Sequence, residues 1–305
     1  MQDTVNLLVI LGPTASGKTA LAARLARDLG SEVISADSRQ VYRGMDLGTG
    51  KDLSEYCFEG VAVPCHLIDI VDPNENFSVF DYQQRFFRCF AELRSRNILP
   101  VMVGGTGLYL ESVLQAYRMH AVAENPALRD QLAGESLAQL AQRLLALRPN
   151  LHNQSDLLER SRLIRAIEIA EHSRQAPDLT AAPRIDALIV GIRRERSLLR
   201  RRITERLRQR LDAGMIEEVR ALNESGVSWE RLHYFGLEYR YIGLYLQGVL
   251  DYETMLRTLN TKIHQFAKRQ ETWFRRMERN GAVIHWLDGA DDAALKRIIA
   301  AQILR

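Results

Sequence analysis

Phosphate-binding chemistry is indicated by one segment near the N-terminus, made of Gly12, Pro13, Thr14, Ala15, Ser16, Gly17, Lys18 and Thr19. The spacing GxxxxGK[ST] lets glycines turn successive backbone N–H groups into one concavity, with the dipole of a following helix behind them. Lys18 then reaches the outer phosphates, and the Thr19 hydroxyl can hold Mg²⁺. The pattern by itself specifies phosphates, and an ATP- or GTP-using enzyme is its default interpretation.

An acidic residue, Asp37, follows the next predicted strand, residues 32–35. At the carboxyl end of a strand beside the P-loop strand it would lie in the ligand crevice. It is a candidate general base, or an acceptor for an amine about to attack. A helix cap or turn is the alternative. Thr106, in the glycine-rich turn after residues 101–103, offers a hydroxyl to the same crevice, although such a turn is as often merely tight.

The basic residues are mostly arginine, since only five of the 41 are Lys. Residues 193–210 hold nine Arg and two Glu, a local net charge of +7. Arg202, Arg206 and Arg210 lie at i+4 steps on a helix predicted over residues 198–222, so one ridge can close over a diphosphate. A GC-rich genome explains the arginine excess equally well, and a solvated ridge pairing with acids such as Glu205 is the alternative for the cluster.

A second cationic segment, residues 262–276, places Arg269, Trp273 and Arg276 on one helix face. Lys268 and Thr272, four residues later, lie on the next face of the helix. Interleaved cations and a ring suit RNA, because phosphates meet Arg or Lys and unstacked bases meet aromatics. A buried Trp packed by arginine stems is an equally weighted interpretation.

The elements that position these residues alternate between strands and helices. Buried runs predict strands at 5–11, 32–35, 66–71, 99–103, 185–192 and 283–287, and apolar periodicity predicts helices at 19–29 and 79–96. This order predicts an α/β fold, a P-loop NTPase-like, mostly parallel sheet flanked by helices. A Walker-B-like role for Asp69, within the predicted strand 66–71, is a further and weaker hypothesis. The predicted divisions are a core at 1–114, a small all-helical insertion domain at 115–183, and the remaining core with C-terminal helices at 184–305.

The bulk properties limit the class of protein. No apolar run approaches the roughly 20 residues of a membrane span, and the N-terminus lacks the features of a signal peptide. Three cysteines without a CxxC pair argue against a disulfide framework and a zinc site. We therefore expect a cytoplasmic protein that does not bind membranes.

Several segments together resemble the tRNA dimethylallyltransferases, also called isopentenyl-tRNA transferases. The matching segments are GPTASGKT (12–19), ISADSRQVYRGMDLGTGK (34–51), HLIDIVDP (66–73), PVMVGGTGLYL (100–110), RLIRAIEI (162–169), GLEYR (236–240) and AKRQETWFRR (267–276). The P-loop is shared with many NTPases, whereas DSRQVYRGMDLGT, GGTGLYL and KRQETWFR are far more specific. The segments span nearly the whole chain.

The resemblance implies transfer of a dimethylallyl group from dimethylallyl diphosphate to N6 of adenosine 37, in tRNAs that read codons starting with U. The P-loop would then hold the diphosphate leaving group, with Thr14 near the bridging oxygen and Thr19 near Mg²⁺. Asp37 would bind the N6 amine as general base, and Arg206 would neutralise the leaving diphosphate with Lys18. The implied partners are dimethylallyl diphosphate and the tRNA anticodon stem-loop, bound by a monomer.

The resemblance also implies a set of tRNA contacts, part of them in the insertion. These are Asp37, Ser38, Arg39, Gln40, Thr106, Arg129, Ser161, Arg162, Arg165, Gly236, Tyr239, Arg240, Lys268, Arg269, Gln270, Thr272, Trp273 and Arg275. GLEYR stands where relatives commonly have GYR, so Glu238 adds a charge without an assigned role.

Three other functions compete with this one. A P-loop kinase of small molecules explains the P-loop and Asp37, but leaves KRQETWFR and the arginine cluster without a task. An adenylate isopentenyltransferase uses the same donor on a free nucleotide and needs no RNA-binding C-terminal third. A non-catalytic RNA-binding protein regulated by a nucleotide requires Asp37 to be dispensable.

Overall fold

The structure, a computed structural model, describes residues 5–58, 60–117, 119–149, 159–175 and 182–303. Its chain divides into two units, Met1–Tyr117 with Pro183–Arg305, and Arg118–Ala182. The first unit contains all the strands of the described chain and the P-loop, whereas the second is helical.

The strands and helices have the following bounds. The strands are β1 (Leu7–Leu11), β2 (Val33–Ala36), β3 (Cys57–Phe58), β4 (Val61–Ala62), β5 (Cys65–His66), β6 (Val101–Gly104), β7 (Ala187–Arg193) and β8 (Ile284–Asp288). The helices are α1 (Lys18–Asp28), α2 (Val79–Ser95), α3 (Gly107–Leu114), α4 (Pro126–Leu132), α5 (Leu137–Leu147), α6 (Arg160–Gln175), α7 (Arg196–Asp212), α8 (Met215–Glu224), α9 (Trp229–Phe235), α10 (Leu237–Leu246), α11 (Tyr252–Arg279) and α12 (Asp292–Ile303), with a 3-10 turn at Leu53–Tyr56.

Six strands form one parallel sheet in the order β5-β2-β6-β1-β7-β8. The central strand β1 is buried on both faces: Leu7, Val9 and Leu11 belong to one core cluster, and Leu8 and Ile10 to the other. Side chains alternate along a strand, so a run of apolar residues is required where helices cover both faces. The predicted parallel α/β fold is confirmed.

The carboxyl ends of four neighbouring strands meet at one edge of this sheet. The P-loop follows β1, Asp37 follows β2, Gly105 follows β6 and Arg194 follows β7. The close fit of β2 and β6 requires glycine at position 104, because a Cβ there would lie 2.2 Å from the Ala36 carbonyl oxygen. This edge is where open α/β sheets bind ligands.

The predicted single helix over residues 198–222 is wrong, because the structure has two helices, α7 and α8. Gly214 separates them with φ 101°, a left-handed conformation that glycine adopts without steric cost. The apolar i+4 stripe continues across the break, so periodicity alone does not reveal it.

The strand predicted over residues 66–71 is also too long. Only Cys65–His66 pairs with β2, and the chain then leaves the sheet through Leu67 and Asp69, both at positive φ. Val71 returns to make one isolated bridge with Tyr42. Residues 67–71 therefore belong to a partly buried loop.

Candidate active site at the carboxyl edge of the sheet

The P-loop joins β1 to α1 with two residues in the left-handed region, Ala15 (φ 61°) and Gly17 (φ 92°). The Ser16 hydroxyl is buried, and it has no hydrogen-bond partner in the described part of the chain. A buried polar atom without a partner is costly unless a ligand satisfies it. The loop therefore presents a hydroxyl suited to a bound oxyanion.

Two arginines from later in the chain donate hydrogen bonds to backbone carbonyls of this loop. Arg194 Nε donates to the Ser16 carbonyl at 2.8 Å, and Arg202 Nε donates to the Ala15 carbonyl at 3.0 Å. The predicted arginine ridge of α7 thus begins against the P-loop. Sequence patterns do not single out Arg194, although its place directly after β7 is a usable signal.

Gln270 connects the P-loop to the second glycine-rich turn. Its Oε1 accepts from the Thr14 N–H at 2.8 Å, and its Nε2 donates to the Gly105 carbonyl at 2.9 Å. A Cβ at Gly105 would lie 2.4 Å from that nitrogen, so the approach requires glycine. The predicted tRNA contact at position 270 is a buried side chain in this structure.

Lys18 lies in the middle of the charged groups. Its Nζ donates to the Pro13 carbonyl at 3.4 Å. Burial lowers the pKa of Lys18 to about 8; nearby Asp37 opposes the fall and Arg206 contributes to it. The two predicted catalytic charges, Asp37 and Arg206, are therefore both close enough to Lys18 to affect its protonation.

Asp37 forms a turn directly after β2. Its Oδ1 accepts from the Arg39 N–H at 2.8 Å and from the Gln40 N–H at 3.3 Å. Thr106 Oγ1 accepts from the Ser38 N–H at 3.1 Å, which joins this turn to the one after β6. The turn role and an acid–base role are compatible, because the turn holds the carboxylate at the crevice.

The middle of the α7 ridge faces the segment that ends at Gly50. Arg206 Nη2 donates to the Gly50 carbonyl at 3.1 Å, and a Cβ on Gly50 would lie 1.7 Å from Arg210 Nη2. Burial and Arg206 lower the pKa of Arg210 to about 10, while Glu238 opposes the fall. The unassigned charge of Glu238 thus lies beside this arginine pair.

Residues 46–48 are held by a single carboxylate that sequence patterns do not reveal. Glu218 accepts from the N–H groups of Asp46 (3.0 Å), Leu47 (2.6 Å) and Gly48 (3.0 Å). The Tyr239 hydroxyl donates to the same carboxylate at 2.7 Å. Tyr239, an expected tRNA contact, is buried.

Lys51, directly after Gly50, is buried. Its Nζ donates to the Tyr42 carbonyl at 3.0 Å, to Asp46 Oδ1 at 2.7 Å, and to Asp69. The Asp69 carboxylate considered for Mg²⁺ therefore pairs with a lysine. Across the described residues, no group of three or more His, Cys, Asp and Glu side chains could hold a metal ion.

Mg²⁺ is the cofactor that the P-loop pattern implies, and the residues present fit it. The Thr19 hydroxyl lies near the Glu55 carboxylate of the 3-10 turn, so two oxygen donors of the kind Mg²⁺ prefers are available beside the start of α1. Burial raises the pKa of Glu55, and nearby Arg206 and Thr19 oppose that rise.

Helix α11 exposes four of the predicted tRNA contacts. They are Lys268, Arg269, Thr272 and Arg275. Trp273 is half-buried. Its ring packs against Gly107, where a Cβ would lie only 2.2 Å from the ring, and the Arg276 guanidinium lies 4.0 Å from the centroid of the Trp273 ring. At the α9–α10 junction, Gly236 has φ 135° and Arg240 is exposed.

The predicted contacts of the second unit lie on two ion-pair groups. Arg129 and Arg165 both bind Glu168, at 2.7 and 2.8 Å. Burial would raise the pKa of Glu168, but hydrogen bonds from both arginines lower it to about 2. Ser161 Oγ bonds to Glu159 at 3.1 Å, and Arg162 pairs with the same carboxylate at 3.0 Å.

Among the described helices, none is both long enough and apolar enough to cross a membrane.

Comparisons with known proteins agree over nearly the whole chain. A family model described as IPP transferase matches residues 40–277, and one described as isopentenyl transferase matches residues 5–61. The chain is 60% identical to tRNA dimethylallyltransferase 1 of Syntrophus aciditrophicus, covering 95% of this chain and 96% of that protein. It is 56% identical to tRNA dimethylallyltransferase 2 of Trichlorobacter lovleyi, covering 98% and 97%.

A solved structure gives the same result at the level of the fold. The crystal structure of a tRNA isopentenylpyrophosphate transferase from Bacillus halodurans is 34% identical with a TM-score of 0.71, and the match covers 98% of this chain and 97% of that one. Sequence identity, coverage and fold thus agree, and the chain belongs to the tRNA dimethylallyltransferase family.

Proposed function

We propose that the protein transfers the dimethylallyl group of dimethylallyl diphosphate to N6 of adenosine 37 in tRNAs that read codons starting with U. The products are N6-dimethylallyladenosine and diphosphate. The observation that carries the proposal is the meeting of the P-loop, Asp37 and Arg206 at one edge of the sheet, around Lys18.

The leaving group is the reason for the cationic side of the site. An allylic diphosphate ionises readily once the negative charge on its leaving oxygen is stabilised. Lys18 and Arg206 would neutralise that charge, with Thr14 near the bridging oxygen, and preorganised charges of this kind usually lower the barrier most. The orphaned Ser16 hydroxyl adds a donor for a phosphate oxygen.

The nucleophile of the proposed reaction accounts for the acidic residue of the site, Asp37. The N6 amine of adenine is weakly nucleophilic, so its placement against the allylic carbon contributes heavily. Asp37 accepts a hydrogen bond from N6 and takes the proton released as the new C–N bond forms. The adenine leaves the anticodon-loop stack to reach the site, at a cost of roughly a few kcal/mol that protein contacts offset.

Mg²⁺ would be held by the Thr19 hydroxyl, and when bound it supplies positive charge to the diphosphate. The exposed cations of α11 would contact tRNA phosphates, together with the residues of the second unit named above. We expect the protein to act as a monomer in the cytoplasm.

One experiment tests the proposal. The protein is incubated with dimethylallyl diphosphate, Mg²⁺ and an unmodified tRNA that has adenosines at positions 36 and 37. The tRNA is then digested, and the masses of its nucleosides are measured by mass spectrometry. We expect one dimethylallyl group on the second adenosine, and none with Asp37→Ala. Consumption of ATP with unchanged tRNA would instead support a kinase, and transfer to free adenine nucleotides alone would support an adenylate isopentenyltransferase.

A further inference from the structure

An aromatic side chain that no part of the proposed mechanism uses is exposed beside the site. Tyr234, near the end of α9, is 56% exposed, whereas Leu232 and Phe235 on the same helix are buried. Its ring meets Phe235 at 6.0 Å and an angle of 64°, an edge contact. More than half of the surface of the Tyr234 side chain is in contact with solvent. A partner that covers the ring would therefore bury additional apolar surface.

The Tyr234 ring lies next to the turn of Asp37. The Arg39 guanidinium is 5.0 Å from its centroid, and the Arg39 N–H donates to Asp37 Oδ1 at 2.8 Å. One residue, Arg39, thus contacts both the ring and the predicted general base.

A second guanidinium fixes the ring from within the protein. Arg231 lies 5.2 Å from the Tyr234 centroid, and it donates to the Pro73 carbonyl and to Asn76 Oδ1, both at 2.8 Å. Arg231 also donates to the Glu75 carbonyl, and these three hydrogen bonds hold the guanidinium that contacts the ring.

Rings flanked by guanidiniums are the groups on which proteins stack unpaired bases, while the cations meet the adjoining phosphates. An RNA whose target adenosine is at Asp37 has unpaired neighbours within reach of such a ring. A role confined to bracing Arg39 would not require an exposed ring.

We propose that Tyr234, together with Arg39, is a stacking platform for an unpaired base adjacent to the target adenosine of the RNA. The inference rests on the proposed function for the identity of that adenosine. Tyr234 binds substrate in this proposal and takes no part in bond making.

The test compares Tyr234→Ala and Tyr234→Phe with the wild type on an anticodon stem-loop RNA. Tyr252→Ala is the matched control, since Tyr252 is an exposed tyrosine (38%) at the start of α11, about 27 Å of helix from Gln270. Two further RNAs carry an abasic residue on one side or the other of the target adenosine. Stem-loop binding is measured by fluorescence anisotropy, and transfer by nucleoside mass.

For Tyr234→Ala we expect binding of the intact stem-loop to weaken on the order of tenfold. The KM for dimethylallyl diphosphate and kcat at saturating RNA stay unchanged, and Tyr234→Phe and Tyr252→Ala bind like wild type. The loss should vanish on the one abasic RNA that lacks the stacked base.

Two results would overturn the platform. One is an equal loss on all three RNAs, which would mean that Tyr234 only braces Arg39. The other is unchanged binding by Tyr234→Ala. Absence of transfer by the wild type would count against the proposed function alone, because the binding comparison still decides the role of the ring.

Discussion

The Thr14 backbone N–H donates to the Gln270 side chain at 2.8 Å, across 256 residues of sequence. The bond joins the P-loop to the helix whose outer face carries the predicted tRNA contacts. Gln270 is therefore a positioning residue: it places the Thr14 hydroxyl through the Thr14 backbone.

Replacing Gln270 with Leu should lower kcat by about 10- to 100-fold, because a small misplacement of Thr14 disturbs the attack geometry. Gln270→Glu retains the acceptor for Thr14 but places a carboxylate oxygen against the Gly105 carbonyl, so it should not restore the rate. Steady-state kinetics with each substrate varied in turn provide the measurement. Gln265→Leu, on the exposed side of the same helix, is the control. A loss confined to the KM for tRNA would show that Gln270 acts on RNA binding instead.

Arg206→Ala should lower kcat by roughly 100- to 1000-fold, since in the proposed function it removes a cation that would neutralise the leaving diphosphate. The affinity for tRNA should change little. Single-turnover transfer and tRNA binding are measured on the same preparations, with the exposed Arg208→Ala as the control. Equal losses in rate and in binding would mean that Arg206 is a tRNA contact.

Glu218→Gln should raise the KM for dimethylallyl diphosphate by about tenfold, because a carboxamide cannot accept from three N–H groups and a hydroxyl at once. The segment that presents the Gly50 carbonyl to Arg206 would then shift. Glu217→Gln, at the exposed neighbouring position, should leave the KM unchanged. If Glu218→Gln and Glu217→Gln had the same KM for dimethylallyl diphosphate, the positioning role of Glu218 would be contradicted.

The second unit should lose stability in acid because of Glu168. Its pKa is about 2 in the fold against an ordinary value of 4.5, so its contribution is full above about pH 4.5 and is lost as the pH falls towards 2. Glu168→Gln should destabilise this unit by roughly 1–3 kcal/mol at neutral pH, as it removes the buried carboxylate that Arg129 and Arg165 share.

Hydrogen exchange of the α4 and α6 amides between pH 7 and pH 3 measures this effect. Glu171→Gln is the matched control. Glu171 lies on the same helix as Glu168 and pairs with Arg143 of α5, but its side chain is a third exposed, so the substitution should cost at most about 1 kcal/mol. Wild-type and Glu168→Gln proteins with the same pH dependence would refute the assignment.

Local patterns were sufficient for the sheet, the P-loop and the place of Asp37. Each depends on residues within one strand and the turn after it, where apolar runs and glycine spacing act directly. The arginine ridge was also predictable, because helix periodicity places Arg202, Arg206 and Arg210 together.

Interactions between distant segments were not predictable in this way. The inward direction of the Gln270 side chain and the binding of residues 46–48 by Glu218 depend on how the helices pack. The spacing of residues in a single sequence does not reveal that packing. The break at Gly214 was missed because a single glycine is tolerated inside a helix and the apolar stripe runs on. Asp69 follows an apolar run, but its lysine partner, Lys51, lies in a different loop.

The groups that hold the P-loop from outside have a consequence for the newly synthesised chain. Arg194, Arg202 and Gln270 lie 178, 187 and 256 residues after the atoms that they bind. A chain emerging from the ribosome has therefore completed its P-loop sequence long before it has the side chains that fix the loop. A premature stop before α11 leaves Thr14 without Gln270, so such a fragment would compete poorly with the finished enzyme for the prenyl donor.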